Sequence, residues 1–319
     1  MFKNKKILLI AGGGTLGTHT GRELLRLGAR VEVICPEEKV SDHANLRFYQ
    51  SLATDEFLTK LFSKNHYDAI VNFIHYEDPT EYRRVYPMLR AACDQLVFLS
   101  SYRVYADEMH PITEDAPRLY DVLKDEEFLA QDTYAIPKSK CEDFLRAECA
   151  DDPWTIVRPV ISFSDRRLDL VLYCGKSTIH AAESGRTLIL PESVRDLHAG
   201  LDWAGNSGKL IAHLLCKKAA LGGTFNIYSG HGMTWGEVAE AYHDAIGLDV
   251  RWGSDEEYLD MFPIIRTDCQ YARMWYYDRK FDRQIDASHV LEVTGLCASD
   301  FCSIRDGIAY EAEKIRAAR

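Results

Sequence analysis

The sequence predicts an α/β protein, a doubly wound parallel sheet with a smaller C-terminal lobe interleaved with it. Three observations carry this reading. Short apolar runs alternate with helical patterns through the first half of the chain. A glycine-rich turn separates the first apolar run from the first helix. Hydrophobic residues make up 46% of the 319, enough to bury both faces of a sheet.

Lys6 to Ile10 is compact and mostly apolar, as a strand covered on both faces requires. Glycines between Gly12 and Gly17 interrupt it; Gly21 to Leu27 then has helical spacing, and Gly28 ends the helix. Val31 to Ile34 is a second β-branched run. Phe57 to Phe62 predicts a helix, Ala69 to Ile74 a buried strand, Tyr82 to Cys93 a helix and Leu96 to Leu99 a strand. After a polar stretch from Asp107 to Asp125, Ala135 to Ala147 predicts a helix and Thr155 to Pro159 a strand. Such alternation gives a parallel sheet with helices on both faces. The pattern then loosens. Leu188 to Pro191, Thr224 to Ile227 and Val250 to Trp252 read as strands; Leu210 to Leu215, Trp235 to Ile246 and Ile304 to Ala318 read as helices. No repeat or linker intervenes, so residues 1–165 form the sheet domain, a segment about 196–228 returns to it, and 166–319 supply mainly a second lobe.

The net charge of -11 disfavours a phosphate backbone as partner, so nucleic acid is not expected, and an anionic ligand needs a local basic pocket. Nine cysteines include no C-x-x-C, and eleven histidines include no H-x-x-x-H, so no metal site is expected. The scattered thiols and the lack of any apolar run of about 18 residues predict a cytoplasmic protein with no membrane span.

Gly12-Gly13-Gly14-Thr15-Leu16-Gly17 satisfies G-x-G-x-x-G between a strand and a helix. Gly12 allows the tight turn, Gly14 lets the backbone approach a pyrophosphate, and Gly17 allows helix and strand to pack closely. The helix N-terminus adds free N–H groups and a positive dipole end. The expected dinucleotide contacts are therefore Gly12, Gly14, Thr15, Leu16 and Gly17, with the end of the second strand at Cys35. No acid stands at Cys35, but Glu37 and Glu38 follow; they can reach a ribose and would repel a 2′-phosphate. No arginine lies nearby, although Lys39 does. NAD is the expected cofactor, with NADP left open. Residues 1–165 are thus the expected NAD(P)-binding domain.

Tyr134-Ala135-Ile136-Pro137-Lys138 is Y-x-x-x-K. Residues four apart share a helix face, so phenol and ammonium can sit side by side. A tyrosine titrates near 10 in water, and neighbouring cations favour its phenolate. Pro137 places Tyr134 at the first turn, where proline is tolerated. The strand Leu96 to Leu99 ends in Ser100 and Ser101, at the sheet end where ligands bind. One hydroxyl is expected at the substrate and the other in loop capping.

The glycine turn, Leu99-Ser100-Ser101-Tyr102-Arg103-Val104-Tyr105, Pro111-Ile112-Thr113-Glu114, and Tyr134 and Lys138 with Glu142 resemble the NAD-dependent epimerase/dehydratase family of extended, Rossmann-type short-chain dehydrogenases. Thr155 to Pro159, Val194-Arg195-Asp196-Leu197-His198 and Gly222 to Ile227 extend the likeness, in order, across residues 5 to 310. The resemblance implies Ser101 as catalytic hydroxyl, Tyr134 as acid/base, and Lys138 as its electrostatic partner and a contact of the nicotinamide ribose. It implies Arg195 against a substrate diphosphate, an Arg fork suiting phosphate, with a surface ion pair to Asp196 as the alternative. Ala69 to Ile74 and the long spacer resemble an atypical branch that includes stem-loop RNA-binding proteins of chloroplasts. Departures are Ala11 and Cys35 in place of the usual Gly and Asp, no Y-G-P in Val160 to Asp165, and no Asp near Gln50 and Ser51. The family's dehydratases carry an Asp-Glu pair after the catalytic hydroxyl, where this chain has Tyr102 and Arg103.

The resemblance therefore implies an epimerase or reductase acting on a nucleotide-sugar or a similar hydroxyl or carbonyl substrate by Tyr-assisted hydride transfer. The alternative is a non-catalytic dinucleotide-binding or RNA-binding member. A homodimer is left open. Two further stretches were weighed. Gly175-Lys176-Ser177-Thr178 fails as a phosphate loop because residue 170 is Leu. Tyr271 to Tyr277, with Arg266, Arg273 and Arg279, reads either as a base-stacking pocket or as an aromatic core edge.

Overall fold

A computed structural model describes residues 2–173 and 176–318, Lys176 by its backbone alone. The strands β1 (Lys6–Ile10), β2 (Arg30–Cys35), β3 (Leu46–Gln50), β4 (Ala69–Asn72), β5 (Leu96–Leu99) and β6 (Trp154–Pro159) join Gly223–Ile227 in one parallel sheet. Its order is Gly223–Ile227, β6, β5, β4, β1, β2, β3. The chain leaves β1 toward β2 on one side and later returns to β4 on the other. The crevice at this switch point lies beyond the carboxyl ends of β1, β4 and β5.

Alternate strand residues feed two cores. Leu9, Val33, Val71 and Val97 pack on one face, and Leu8, Ile10, Ile34, Ile70 and Phe98 on the other. This period of two explains why the strands read as unbroken apolar runs. Helix α1 (Thr15–Arg26) lies on the first face against Ala204–Leu214, inside the segment about 196–228, whose last strand then forms the sheet edge beside β6. Beyond residue 166, Leu188–Pro191 pairs in parallel with Val250–Gly253, and Leu201–Trp203 pairs with Ile161–Phe163, which follows β6.

Several elements differ from the sequence reading. The first helix begins at Thr15, directly on the glycine turn, and not at Gly21. β4 stops at Asn72, whose buried side chain donates to Tyr76. The strand β3 escaped notice because it is an edge strand, half-exposed along its length, with Arg47 and Gln50 in its five residues. The polar stretch and the residues after it hold two short helices, Leu119–Val122 and Glu126–Gln131, too short to show a period. Gly175 lies outside the described residues. Among the described residues no helix is long and apolar enough to cross a membrane, and no group of three or more His, Cys, Asp or Glu could hold a metal ion.

Candidate active site

The glycine turn is built by close contact. A Cβ on Gly12 would stand 2.7 Å from Leu9 Cβ, and one on Gly17 would stand 2.4 Å from the Gly12 carbonyl oxygen. Strand and helix thus touch through these two glycines. Gly14 is different, since a Cβ there would meet nothing within 4 Å. It caps α1 with no side-chain hydrogen bond, and the first turn carries no acid. The first N–H groups of the helix therefore face open space, which suits an anion.

That space is a cleft of about 430 Å³. Gly14, Thr15, Leu16 and Gly17 form one wall, and Ser101, Arg103 and Tyr134 line it too. Gly12 lies behind the turn, packed on Leu9 and Val33. Cys35 does not line the cleft. It is 1% exposed, with its thiol turned to the Glu37 carbonyl at 3.5 Å. The group beside the turn is Glu37, whose carboxylate would lie 2.7 Å from a Cβ on Gly13. Lys39 donates to the Gly13 carbonyl at 2.7 Å.

Tyr134 is the N-cap of the helix Ala135–Glu148 and not part of its first turn. Pro137 then falls at the third helical residue, where its missing N–H costs no helical bond. Burial raises the pKa of Tyr134, but the charges of Lys138 and Arg103, the Ser101 hydroxyl and Arg167 outweigh it, and the phenol lies below its usual value. Lys138 sits behind the phenol, 3% exposed, with Nζ 5.3 Å from the ring centroid. It donates to the Leu99 carbonyl at 2.6 Å, at the end of β5, which leaves two of its three N–H donors. Burial lowers its own pKa. His75 lies on another side of Tyr134, ring centroids 5.1 Å apart, its Nε2 2.7 Å from the Thr133 carbonyl. Burial and the Lys138 charge lower its pKa, so the imidazole is neutral at pH 7.

The two serines divide their work. Ser100 donates to buried Glu142 at 2.5 Å. Glu142 also accepts from Arg158, Arg118 and Arg146; burial raises its pKa, but the Arg158 charge and the other donors bring it down to about 2. Both serines border the cleft, but Ser101 caps the short turn Tyr102–Val104 by accepting from the Arg103 N–H at 3.2 Å, and its hydroxyl bears on Tyr134.

Arg195 stands away from these residues. It pairs with Glu192 at 3.4 Å, lies over the Trp252 ring at 5.4 Å, and borders a separate hollow of about 340 Å³. The 3-10 turn Glu192–Val194 aims it outward, so the expected diphosphate contact is corrected. The expected ion pair with Asp196 is replaced by the one with Glu192. A larger cavity, about 730 Å³ by Glu114, Arg118, Arg158 and Thr224, holds none of the predicted site residues.

The sequence reading missed three charged residues of the cleft. Arg103, Arg167 and Asp278 line it, and Arg279, noted only within the aromatic stretch, joins them. Asp278 is buried; its oxygens take Tyr102 Oη at 3.0 Å, Arg283 at 3.3 Å and Arg279 at hydrogen-bond contact. Arg167 pairs with Asp169 at 2.7 Å. Arg103 stood in plain view two residues after Ser101; Arg167 and Asp278 come from distant segments that no local pattern ties to the turn. In the aromatic stretch, Trp275 is core at 1% exposure, Arg273 donates to the Gln131 carbonyl, and Arg266 pairs on the surface with Asp260. The stretch is a core edge whose last turn reaches the cleft.

No family model matches the chain. Its sequence is 31% identical over 141 residues to a UDP-glucose 4-epimerase of Neisseria meningitidis serogroup B, covering 35% of this chain and 42% of that one. It is 27% identical over 185 residues to UDP-glucose 4-epimerase 1 of Oryza sativa, covering 48% and 49%. The chain thus spans about half the length of the curated relatives it matches. The sequence likeness to UDP-glucose 4-epimerases therefore falls on part of the chain only.

Solved structures share the fold over almost the whole chain. Epimerase Mth375 of Methanothermobacter thermautotrophicus has a TM-score of 0.70 at 14% identity, covering 99% of this chain and 96% of that one. The Bordetella bronchiseptica enzyme WbmF, solved with NAD+ and UDP, has a TM-score of 0.66 at 17% identity, covering 99% and 93%.

Proposed function

We propose that this protein is a NAD-dependent epimerase of a nucleotide-sugar, acting at a carbinol carbon by Tyr134-assisted hydride transfer. One observation carries the reading: a single cleft joins the anion-ready turn of Gly14 to Gly17 with Ser101 and Tyr134. The partial likeness to UDP-glucose 4-epimerases supports it, as does a shared fold with WbmF, which was crystallised with NAD+ and UDP.

The residues present fit the dinucleotide. Gly14 leaves room for a pyrophosphate, the uncapped N-terminus of α1 offers N–H groups, and Glu37 stands where a ribose hydroxyl would donate. When bound, NAD supplies the hydride acceptor and returns the hydride. The chain's own groups handle the proton. Tyr134 Oη takes it from the substrate hydroxyl, and Ser101 orients that oxygen by a hydrogen bond. Lys138 and Arg103 hold the phenolate electrostatically, and His75, neutral, adds no competing charge. Arg167 and Arg279 take the role first expected of Arg195, facing a diphosphate from the cleft wall. No carboxylate follows Ser101, so the second acid/base pair a dehydratase needs is missing, and hydride transfer with one proton transfer remains.

The test is incubation of a panel of nucleotide-sugars with NAD and, in parallel, with NADH, followed by NMR. The reading predicts an epimer with no net cofactor consumption. Stoichiometric consumption of reduced cofactor moves the assignment to a reductase, and a 4-keto-6-deoxy product refutes the argument from Tyr102 and Arg103.

A further inference from the structure

Arg103 has unspent binding capacity at the reacting end of the cleft. Its Cζ lies 4.8 Å from the Tyr134 ring centroid. Its buried Nε makes no hydrogen bond, and its nearest carboxylate, Asp278 at 3.6 Å, is already filled by Tyr102, Arg279 and Arg283. No side-chain hydrogen bond of Arg103 occurs among the described residues. A guanidinium brings five N–H donors in a planar fork, and leaving the buried Nε unmet is costly, while the terminal nitrogens are free for a ligand.

The surrounding charge does not cancel either. Arg103, Arg167 and Lys138 bear on Tyr134, and Arg279 lines the same cleft, against two carboxylates, Asp169 and Asp278. This excess of cations stands in a chain of net charge -11, so the cleft is a local basic focus on an acidic surface. The pyrophosphate of a dinucleotide does not answer it, because its place is the glycine turn, Gly14 to Gly17, whose lining residues carry no charge. Arg167 and Arg279 already serve a substrate diphosphate in the function proposed above. Arg103 is left, resting on the ring of the acid/base itself, within one sugar ring of any hydroxyl that Tyr134 deprotonates.

We propose that Arg103 is a specificity-determining residue that binds a carboxylate on the ring carbon beside the reacting carbinol, so that the substrate is a nucleotide-linked uronic acid and not a neutral hexose. The planar fork matches a carboxylate bidentately, which a lysine or an amide cannot do. The inference rests on the nucleotide-sugar reading above and names its substrate class.

Calorimetry separates the two. The NAD-loaded protein, Arg103→Gln and Arg103→Lys are titrated with UDP-glucuronate and with UDP-glucose. The native protein is expected to bind the uronate tighter by about 10-fold or more, the worth of one charge-assisted pair. Arg103→Gln removes that preference, and Arg103→Lys keeps only part of it. The neutral nucleotide-sugar serves as the folding control in each variant. Equal binding of the two in the native protein overturns the inference, as does a uronate preference that survives Arg103→Gln. An equal loss for both ligands in Arg103→Gln also overturns it and assigns Arg103 to the diphosphate. If NAD binds and neither nucleotide-sugar does, the nucleotide-sugar reading itself fails and the inference falls with it.

Discussion

Arg103 and Tyr134 stack at 4.8 Å, guanidinium over phenol, with Lys138 bearing on the same ring at 5.3 Å. Against burial, these two cations bring the Tyr134 pKa below its ordinary value. The active form is the phenolate, so the rate rises with pH through that pKa and levels off above it. Removing Arg103 withdraws one of the cations. Arg103→Gln is therefore expected to move the rising limb of the kcat profile to higher pH, read by initial rates across pH 5 to 10. An unmoved limb means that Arg103 does not act on the phenol.

The serine pair gives a crossed test. Ser101→Ala removes a hydrogen bond at the reacting oxygen and is expected to lower kcat by about 10-fold to 100-fold with little change in melting temperature. Ser100→Ala leaves a hydrogen bond to Glu142 unmade and is expected to cost about 1–3 kcal/mol of stability, with kcat nearly unchanged. Denaturant melts and steady-state kinetics on both variants check this. The reverse pattern would exchange the two assignments.

Much of this was legible in the sequence. The β1 run, the glycine turn and the Y-x-x-x-K helix start are local, and their chemistry depends on residues within a few positions of one another. Which serine bears on Tyr134 was not legible. It depends on Glu142, 42 residues beyond Ser100, being buried among three arginines. Arg195 misled for a related reason. Its motif neighbours fit, but the turn Glu192–Val194 points it at Trp252. The cations proposed in its place, Arg167 and Arg279, come from segments more than 100 residues apart in the chain.

Glu142 is also the pH-sensitive support of the site. Its pKa in the folded protein is about 2, below the value near 4.3 of a free Glu. A depressed carboxylate contributes stability that is fully present above the unfolded pKa and lost as pH falls toward the folded one. The Glu142 contribution is thus complete above about pH 5 and disappears between there and about pH 2. Glu142→Leu takes the carboxylate partner from buried Arg158 and is expected to cost about 3–5 kcal/mol at pH 7. Chemical denaturation at pH 7 and pH 3 reads both effects. A variant as stable as the native protein at pH 7 contradicts the assignment.

Two glycines of the turn should fail differently. Gly17→Ala drives a methyl into the Gly12 carbonyl and is expected to destabilise the fold. Gly14→Ala meets no protein atom, so it is expected to melt as the native protein does and yet lose NAD affinity by about 10-fold or more, because the methyl occupies the path of the pyrophosphate. Calorimetric titration with NAD checks it, and titration with NADP alongside tests the exclusion expected of Glu37. Undiminished NAD binding by Gly14→Ala would move the dinucleotide away from this turn.

The central claim is that Tyr134 is the proton acceptor in a cleft built for a dinucleotide. The most direct measurement is turnover of a nucleotide-sugar by Tyr134→Phe, with NAD affinity measured on the same sample. Only the titrating oxygen is removed, so turnover should fall by about 100-fold to 10,000-fold while NAD affinity stays within a few-fold of the native value. Full turnover in Tyr134→Phe would contradict the account.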